Sequence, residues 1–270
     1  RARTGRARRG AGRKAPLVGS MSDASRSRIA GLSLRFVIAG IVVAVIALLL
    51  TRFGVLHFRS GLIGVAGGML VVGAGTLLGI IGIIRGVMGK PGLAPSAIAA
   101  VAGIVILAVP VSNALGGGSV PPIHDISTDL ETPPDFVSVV ALRGEDSNPL
   151  TRTEPADLAE QQRAAYPQLQ TLIVEDDIAT VFAAALEEAT AQGWDIVDAA
   201  EPENGEAGRI EATDTTLLFG FKDDVVIRIA DDGPDRTLVD MRSVSRVGIS
   251  DLGKNAARIE GFFDGLKGRL

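Results

Sequence analysis

Two arginines and the loop that follows them are the first residues whose types and spacing could bind a ligand. Arg242 and Arg246 are four residues apart in a predicted strand, so their side chains share one face of a sheet. The adjoining loop, Ser245–Asn255, leads into a predicted helix whose free backbone N–H groups could hold a phosphate or a carboxylate. Guanidinium groups favour the same anions. The predicted ligand-binding residues are Arg228, Arg242, Arg246, Ser250 and Lys254.

These residues also have a purely structural explanation. In an acidic domain, arginines on a solvated sheet face can pair across strands with Asp240, Glu211 or Asp214. Ser250 can be an ordinary cap of the helix that follows. Two interpretations therefore stay open at this point: a site for an anionic ligand such as a lipid headgroup, or a set of ion pairs.

A second candidate site lies in a segment bracketed by proline pairs. His124, Asp125 and Asp129 offer an imidazole and two carboxylates, which could begin a metal site or an acid–base pair. The sequence shows no fourth partner, and the only other histidine is His57. A hydrogen-bonded turn is the alternative explanation. We therefore assign no catalytic residue, no metal and no cofactor.

Three long apolar stretches must position these groups. Residues 34–50, 61–84 and 93–115 each approach or exceed the length needed to cross a bilayer, which is about 20 residues. They predict three transmembrane helices. No charged residue lies at bilayer depth, which argues against a channel or a transporter.

The second stretch carries glycine at helical spacing. The glycines line one face and let another helix approach closely, as small-residue motifs do in membranes. Either the other two helices of the chain pack on this face, or a second copy does, giving a homo-oligomer. The predicted helix-packing residues are Gly64, Gly68, Gly75, Gly79, Gly82 and Gly86.

The charge is divided sharply along the chain. Residues 1–115 contain 14 basic residues and one acidic residue, a net charge of +13, whereas residues 116–270 contain 13 basic and 30 acidic residues, a net charge of −17. Such an acidic domain would repel nucleic acid, which excludes a nucleic-acid partner. The absence of cysteine excludes disulfides and thiolate chemistry.

The distribution of basic residues also predicts orientation. Arginines flank the start of the first stretch, while the segment after the third is acidic as far as Arg143. The positive-inside rule then places the N-terminus in the cytoplasm and the C-terminal domain in the periplasm of a multi-pass inner-membrane protein.

The predicted organisation has four parts. The parts are a basic disordered segment (1–33), three transmembrane helices (34–115), a hinge and juxtamembrane segment (116–135) and an acidic domain (136–270).

The position of Met21 predicts that the native chain starts there and that residues 1–20 derive from upstream translation. The alternative is that residues 1–20 form a polybasic segment that contacts anionic lipid.

Hydrophobic periodicity predicts the fold of the acidic domain. Successive strands joined by tight turns, with helices at both ends, indicate an α+β domain in which helices cover one face of an antiparallel sheet. Helices are predicted at 155–165, 176–192 and 251–266. Strands are predicted at 136–142, 171–174, 194–199, 209–213, 217–221, 225–230 and 237–247.

Several sequence motifs resemble one bacterial family. They are residues 121–129, the Asn148-Pro149 and Tyr166-Pro167 pairs, residues 223–228 and the long run 240–259. Together they make residues 120–268 resemble domain-of-unknown-function family fourteen ninety-nine, here in a membrane-anchored form. The resemblance implies no activity and supplies no site residues.

The leading functional hypothesis is a membrane-anchored binding or envelope-maintenance module that recognises an anionic lipid or an envelope protein through the arginine cluster. The first alternative is an envelope hydrolase or metal-dependent enzyme that uses His124 with Asp125 or Asp129. The second is a purely structural membrane protein.

Overall fold

A computed structural model describes residues 27–117, 120–153 and 155–270. The predictions about the basic tract and Met21 lie outside the described residues. The described chain folds into an N-terminal three-helix bundle followed by an α+β domain.

The bundle consists of three helices, each long and apolar enough to cross a membrane. They are α1 (Arg28–Arg52), α2 (Phe58–Val87) and α3 (Leu93–Gly117). Each helix extends beyond the predicted stretch, because hydropathy marks only the apolar part of a helix. The start of α1 is set instead by Ser27, whose side chain accepts a hydrogen bond from the Ala30 N–H.

The glycine face of α2 packs against α1 and α3 of the same chain. A Cβ atom added to Gly68 would lie 2.6 Å from the Gly40 carbonyl oxygen and 2.7 Å from the Ala44 nitrogen. At Gly79 it would lie 2.9 Å from the Ala100 nitrogen. Similar approaches below 3 Å to α1 or α3 occur at Gly64, Gly75, Gly82 and Gly86. The face is therefore filled by the other two helices of the chain.

We expect Gly68→Ala to lower the melting temperature of the bundle. The added methyl group would meet backbone atoms of α1, which cannot move aside as a flexible side chain can, and such overpacking costs about 1–3 kcal/mol. Thermal unfolding of the full-length protein in detergent, followed by circular dichroism, measures the loss.

The neighbouring Gly67 provides the control, since a Cβ atom there meets nothing within 4 Å. Alanine in an open helical position removes the entropic disadvantage of glycine, so Gly67→Ala should be neutral or slightly stabilising. Equal melting temperatures for the two variants would contradict the packing of this face.

The described part of the C-terminal domain contains six strands, three helices and a short 3₁₀ helix at Val139–Leu142. The strands are β1 (Asp125–Ser127), β2 (Leu172–Val174), β3 (Asp195–Ala200), β4 (Gly208–Thr215), β5 (Lys222–Asp231) and β6 (Thr237–Ser245). The helices are α4 (Leu158–Ala165), α5 (Ile178–Ala191) and α6 (Lys254–Lys267).

The six strands form one antiparallel sheet, which confirms the predicted α+β class. Their order is β1-β6-β5-β4-β3, and β2 pairs with the first half of β6. Helices α5 and α6 cover one face, where Trp194 stacks on Phe262 with ring centroids 5.6 Å apart. Because β1 pairs with β6, the sheet extends into the segment predicted to be juxtamembrane.

The opposite face of the sheet is largely buried too, but it carries charged side chains beside a small apolar cluster. Side chains alternate along β6, so Val239 and Met241 join the helical core while Asp240 and Arg242 point the other way. The irregular chain before α4 covers this second face, with Phe136 packed against it. The charged side chains of this face are therefore enclosed.

Two predicted strands are wrong. At 136–142 no strand forms and the second half of the segment is the 3₁₀ helix, because the buried Glu211 carboxylate accepts hydrogen bonds from the consecutive N–H groups of residues 137–139. At 217–221 it forms the loop between β4 and β5, closed by the Phe221 N–H, which donates to the Thr216 hydroxyl oxygen. Helix α6 begins at Lys254, three residues later than predicted, which leaves Leu252 in a loop.

Candidate functional site

One end of the domain rests on the three-helix bundle. It is formed by the β4–β5 loop (216–221) and the β6–α6 loop (246–253), and we call it the anchor-facing end. The Phe221 ring meets the Phe58 ring edge-on, with centroids 6.4 Å apart. Beside it, His57 Nε2 lies 3.3 Å from an Asp146 carboxylate oxygen. These contacts place the anchor-facing end at the connection between α1 and α2.

A cleft of about 700 Å³ separates the anchor-facing end from the start of α2. Its volume falls within the range of about 300–1,000 Å³ typical of ligand pockets. One wall is Phe58 and Leu62 of α2, and the other consists of the two loops. The apolar lining residues are Phe58, Leu62, Leu217, Leu218, Phe219, Phe221, Val247 and Leu252. The cleft is therefore suited to an apolar chain.

The polar lining of the cleft has one cation without a carboxylate partner. Lys254 is exposed and forms no ion pair with the described residues. Arg258, by contrast, donates to Asp214 at 2.6 Å and to Asp223 at 2.7 Å. Lys254 is therefore the lining cation that is available to an anionic group.

The helix N-terminus that was predicted to hold an anion is already occupied. The Asp251 carboxylate accepts hydrogen bonds of 2.8 Å from the N–H groups of Gly253 and Asn255. Ser250, predicted as the cap, accepts instead from the Leu252 N–H in the loop. Burial raises the pKa of Asp251 above its ordinary value, and the two backbone hydrogen bonds offset only part of this increase. The ligand would therefore have to be held by side chains, not by the helix end.

The unpaired cations of the domain are concentrated at the anchor-facing end. Of its 13 basic residues, eleven lie within 4.0 Å of a described carboxylate. The other two are Lys222 and Lys254. Lys222 lines a smaller cleft beside Phe58 and Phe221. In this acidic domain, the two lysines without a carboxylate partner among the described residues thus both lie towards the bundle.

The three predicted arginines are held in ion pairs. Arg242 is 2% exposed and donates to Asp125 through Nε and Nη2, at 3.1 and 2.8 Å. Arg246 Nη2 donates to Asp224 at 2.7 Å. Arg228 lies 2.8 Å from both Asp129 and Asp240. The cross-strand pair of Arg228 with Asp240 was among the predicted alternatives, whereas Asp125, Asp129 and Asp224 were not predicted as partners.

Two buried carboxylates each serve two arginines. Asp125 pairs with Arg152 as well as with Arg242. Asp224 pairs with Arg143 as well as with Arg246. Neither Arg143 nor Arg152 was predicted from sequence, since nothing local marks them as partners of residues on distant strands. Asp125 and Asp129 of one candidate site therefore pair with arginines of the other, and we call these ion pairs, together with those of Asp224, the ionic network.

The alternative acidic site is not arranged as an acid–base pair. Burial opposes ionisation of Asp129, yet hydrogen bonds from Thr132 and Arg228 lower the pKa of Asp129 to about 2. Burial lowers the pKa of His124, although nearby Asp125 and Asp251 act in the opposite direction. In the described structure the ring nitrogens of His124 are buried without a hydrogen-bond partner. Asp125 and Asp129 are thus bound to arginines and not to His124.

The described residues also contain no group of three His, Cys, Asp or Glu side chains placed to hold a metal ion. Within that part of the chain, the geometry offers arginine–carboxylate pairs, a mainly apolar cleft lined by one lysine, and a half-buried imidazole.

Comparison with known families identifies the domain. A family model described as "Protein of unknown function (DUF1499)" matches residues 125–266. The chain belongs to the DUF1499 family. The match runs from β1 into α6, so it covers the sheet, its helices and the ionic network. The resemblance drawn from the motif at 240–259 is confirmed, and the three-helix bundle lies outside the matched DUF1499 region.

Other similarities are weak. No curated protein matches the sequence. Among solved structures, CalU16 from Micromonospora echinospora is 17% identical and aligns over 37% of this chain and 72% of its own, with a TM-score of 0.25. The site of this DUF1499 protein must therefore be interpreted from its own geometry.

Proposed function

We propose that this protein is a membrane-anchored, extracytoplasmic binding module that recognises an anionic phospholipid in the cleft at its anchor-facing end. The observation that carries the proposal is the location of Lys254, a cation without a carboxylate partner among the described residues, in a mainly apolar cleft that opens next to α2. An acyl chain would lie along the apolar wall, and the phosphate would lie at the lysine.

The charge distribution supports an anionic ligand at this end and not elsewhere. The domain has a net charge of −17 and would repel anions over most of its surface. Lys222 and Lys254 are the exceptions, and both face the bundle. The predicted arginines remain in the proposal only as structural residues, whereas Ser250 and Lys254 line the cleft.

The proposed location is the outer side of a bacterial inner membrane. The domain contacts the α1–α2 connection, which lies at the end of the bundle opposite the start of α1. The positive-inside rule assigns the start of α1 to the cytoplasm, so the domain would be periplasmic. An alkaline phosphatase fused after Leu270 should then be active in cells, and an inactive fusion would overturn this orientation.

Lipid retention tests the proposed function. We expect Lys254→Gln to reduce retention of phosphatidylglycerol about fivefold, because one lysine at a membrane surface contributes about 1 kcal/mol of attraction to anionic lipid. The full-length protein would be reconstituted in nanodiscs of mixed phosphatidylcholine and phosphatidylglycerol. Native mass spectrometry after release from the discs counts the lipids that stay bound.

Lys267→Gln is the matched control, since Lys267 is an exposed lysine at the other end of α6. It should retain lipid as the unmodified chain does. If Lys254→Gln and Lys267→Gln retained the same ratio of the two lipids, the proposal would fail and a purely structural role would be favoured. The hydrolase alternative gains no support, because His124 contacts neither of its expected carboxylates.

A further inference from the structure

Large apolar side chains are exposed at the tips of both loops of the anchor-facing end. Leu217 of the β4–β5 loop is 85% exposed, and Ile249 of the β6–α6 loop is 84% exposed. Leu218 and Leu252 beside them are exposed as well. Loops facing water are normally polar, whereas clustered apolar tips mark a surface that contacts something apolar.

These tips lie at the level where the bundle ends. A Cβ atom on Gly220, in the β4–β5 loop, would lie 2.9 Å from the Arg52 guanidinium at the end of α1. The α1–α2 connection next to it has its own exposed apolar residue, Phe53, at 77% exposure. The apolar outer surface of the helices therefore continues into the loops of the domain.

We infer that the tips of the β4–β5 and β6–α6 loops insert into the membrane in which the three helices are embedded. The occupant of this surface is the bilayer and not a second protein, because the surface is continuous with helices long and apolar enough to cross a membrane. Basic residues border it, as in segments that lie in an anionic membrane interface. These residues are Arg52 beside Gly220, Arg59 over the Phe58 ring, and Lys222 and Lys254 in the clefts beside Phe58.

Insertion of the tips goes beyond the proposed function. It concerns contact with bulk lipid at Leu217 and Ile249 and requires no lipid bound in the cleft. It would hold the domain flat against the bilayer, with the cleft mouth at the depth of the headgroups. A lipid could then enter from the membrane without crossing water.

The absence of cysteine makes the inference directly testable. Leu217→Cys and Ile249→Cys give full-length proteins with single attachment points for an environment-sensitive fluorophore. Glu203→Cys, in the exposed loop before β4, is the control. In vesicles of phosphatidylcholine and phosphatidylglycerol, the two loop labels should emit at shorter wavelength than the control and be quenched by lipids with spin-labelled acyl chains.

Two outcomes would overturn the inference. Quenching of the loop labels by aqueous iodide as strongly as the control would show that the tips lie in water. Protection from iodide without quenching by spin-labelled lipid would show that protein covers them. Repeating the measurement in a Lys254→Gln background separates the two proposals, because insertion should persist there even when lipid retention is lost.

Discussion

Asp224→Ala is expected to destabilise the C-terminal domain by about 3–5 kcal/mol, the cost of leaving buried charges without their partner. The Asp224 side chain is fully buried and pairs with both Arg143 and Arg246. It also accepts a hydrogen bond of 2.9 Å from the Thr213 hydroxyl. Its loss would leave both arginines without this carboxylate and the Thr213 hydroxyl without its acceptor. Denaturant unfolding of the full-length protein in detergent, followed by fluorescence of the buried and sole tryptophan, Trp194, measures the effect.

Two further variants test whether the loss of stability comes from the buried ion pairs of Asp224. Asp232→Ala removes an exposed pair with Arg236 and should cost at most about 1 kcal/mol. Arg246→Ala should cost less than Asp224→Ala, because Asp224 would keep Arg143 as a partner. An Asp224→Ala protein as stable as the Asp232→Ala protein would show that the carboxylate does not hold the network together.

Much of the fold could be predicted because its signals are local. The apolar faces of α5 and α6 repeat at helical spacing, and the register of β5 with β6 follows from a short hairpin. Hydropathy alone located the three bundle helices, with errors only at their ends. These signals depend on residues a few positions apart, so no knowledge of the tertiary structure is needed to read them.

The errors arose where distant contacts decide the structure. The apolar run at 217–221 has the composition of a strand, but its side chains contact α2 or remain exposed. A periodic pattern cannot distinguish a sheet core from a surface that faces the bundle. Likewise, residues 137–139 lead into a 3₁₀ helix and not a strand, because Glu211, more than 70 residues away, binds their N–H groups.

In the candidate site, too, local patterns were predicted correctly and distant contacts were not. Strand alternation predicted that Arg242 and Arg246 share one face of the sheet, and on that face they bind Asp125 and Asp224. It could not show that the chain before α4 covers that side, nor that Asp125 would supply the partner carboxylate. Lys254 was predicted as a ligand-binding residue from its position in the loop. That it has no carboxylate partner among the described residues could be seen only from the structure.

Arg242→Ala is expected to destabilise the domain by about 3 kcal/mol, near the lower end of the cost of breaking a buried pair. Arg152 would still neutralise Asp125, which limits the loss. Besides the carboxylate, the Arg242 guanidinium donates to the carbonyl oxygens of Leu150 and Pro134, so its removal also leaves backbone acceptors unpaired. The same tryptophan-monitored denaturant unfolding measures the change.

Arg242→Lys should recover little of this stability, because an ammonium group cannot reproduce the planar fork that contacts Asp125 and two carbonyl oxygens at once. At temperatures where the Arg242→Ala protein stays folded, it should retain phosphatidylglycerol as the unmodified chain does, whereas Lys254→Gln should not. The pair of variants thus separates a group that holds the fold from one that holds a ligand. Loss of lipid from folded Arg242→Ala protein would indicate that the ligand binds at the arginine cluster and not in the cleft.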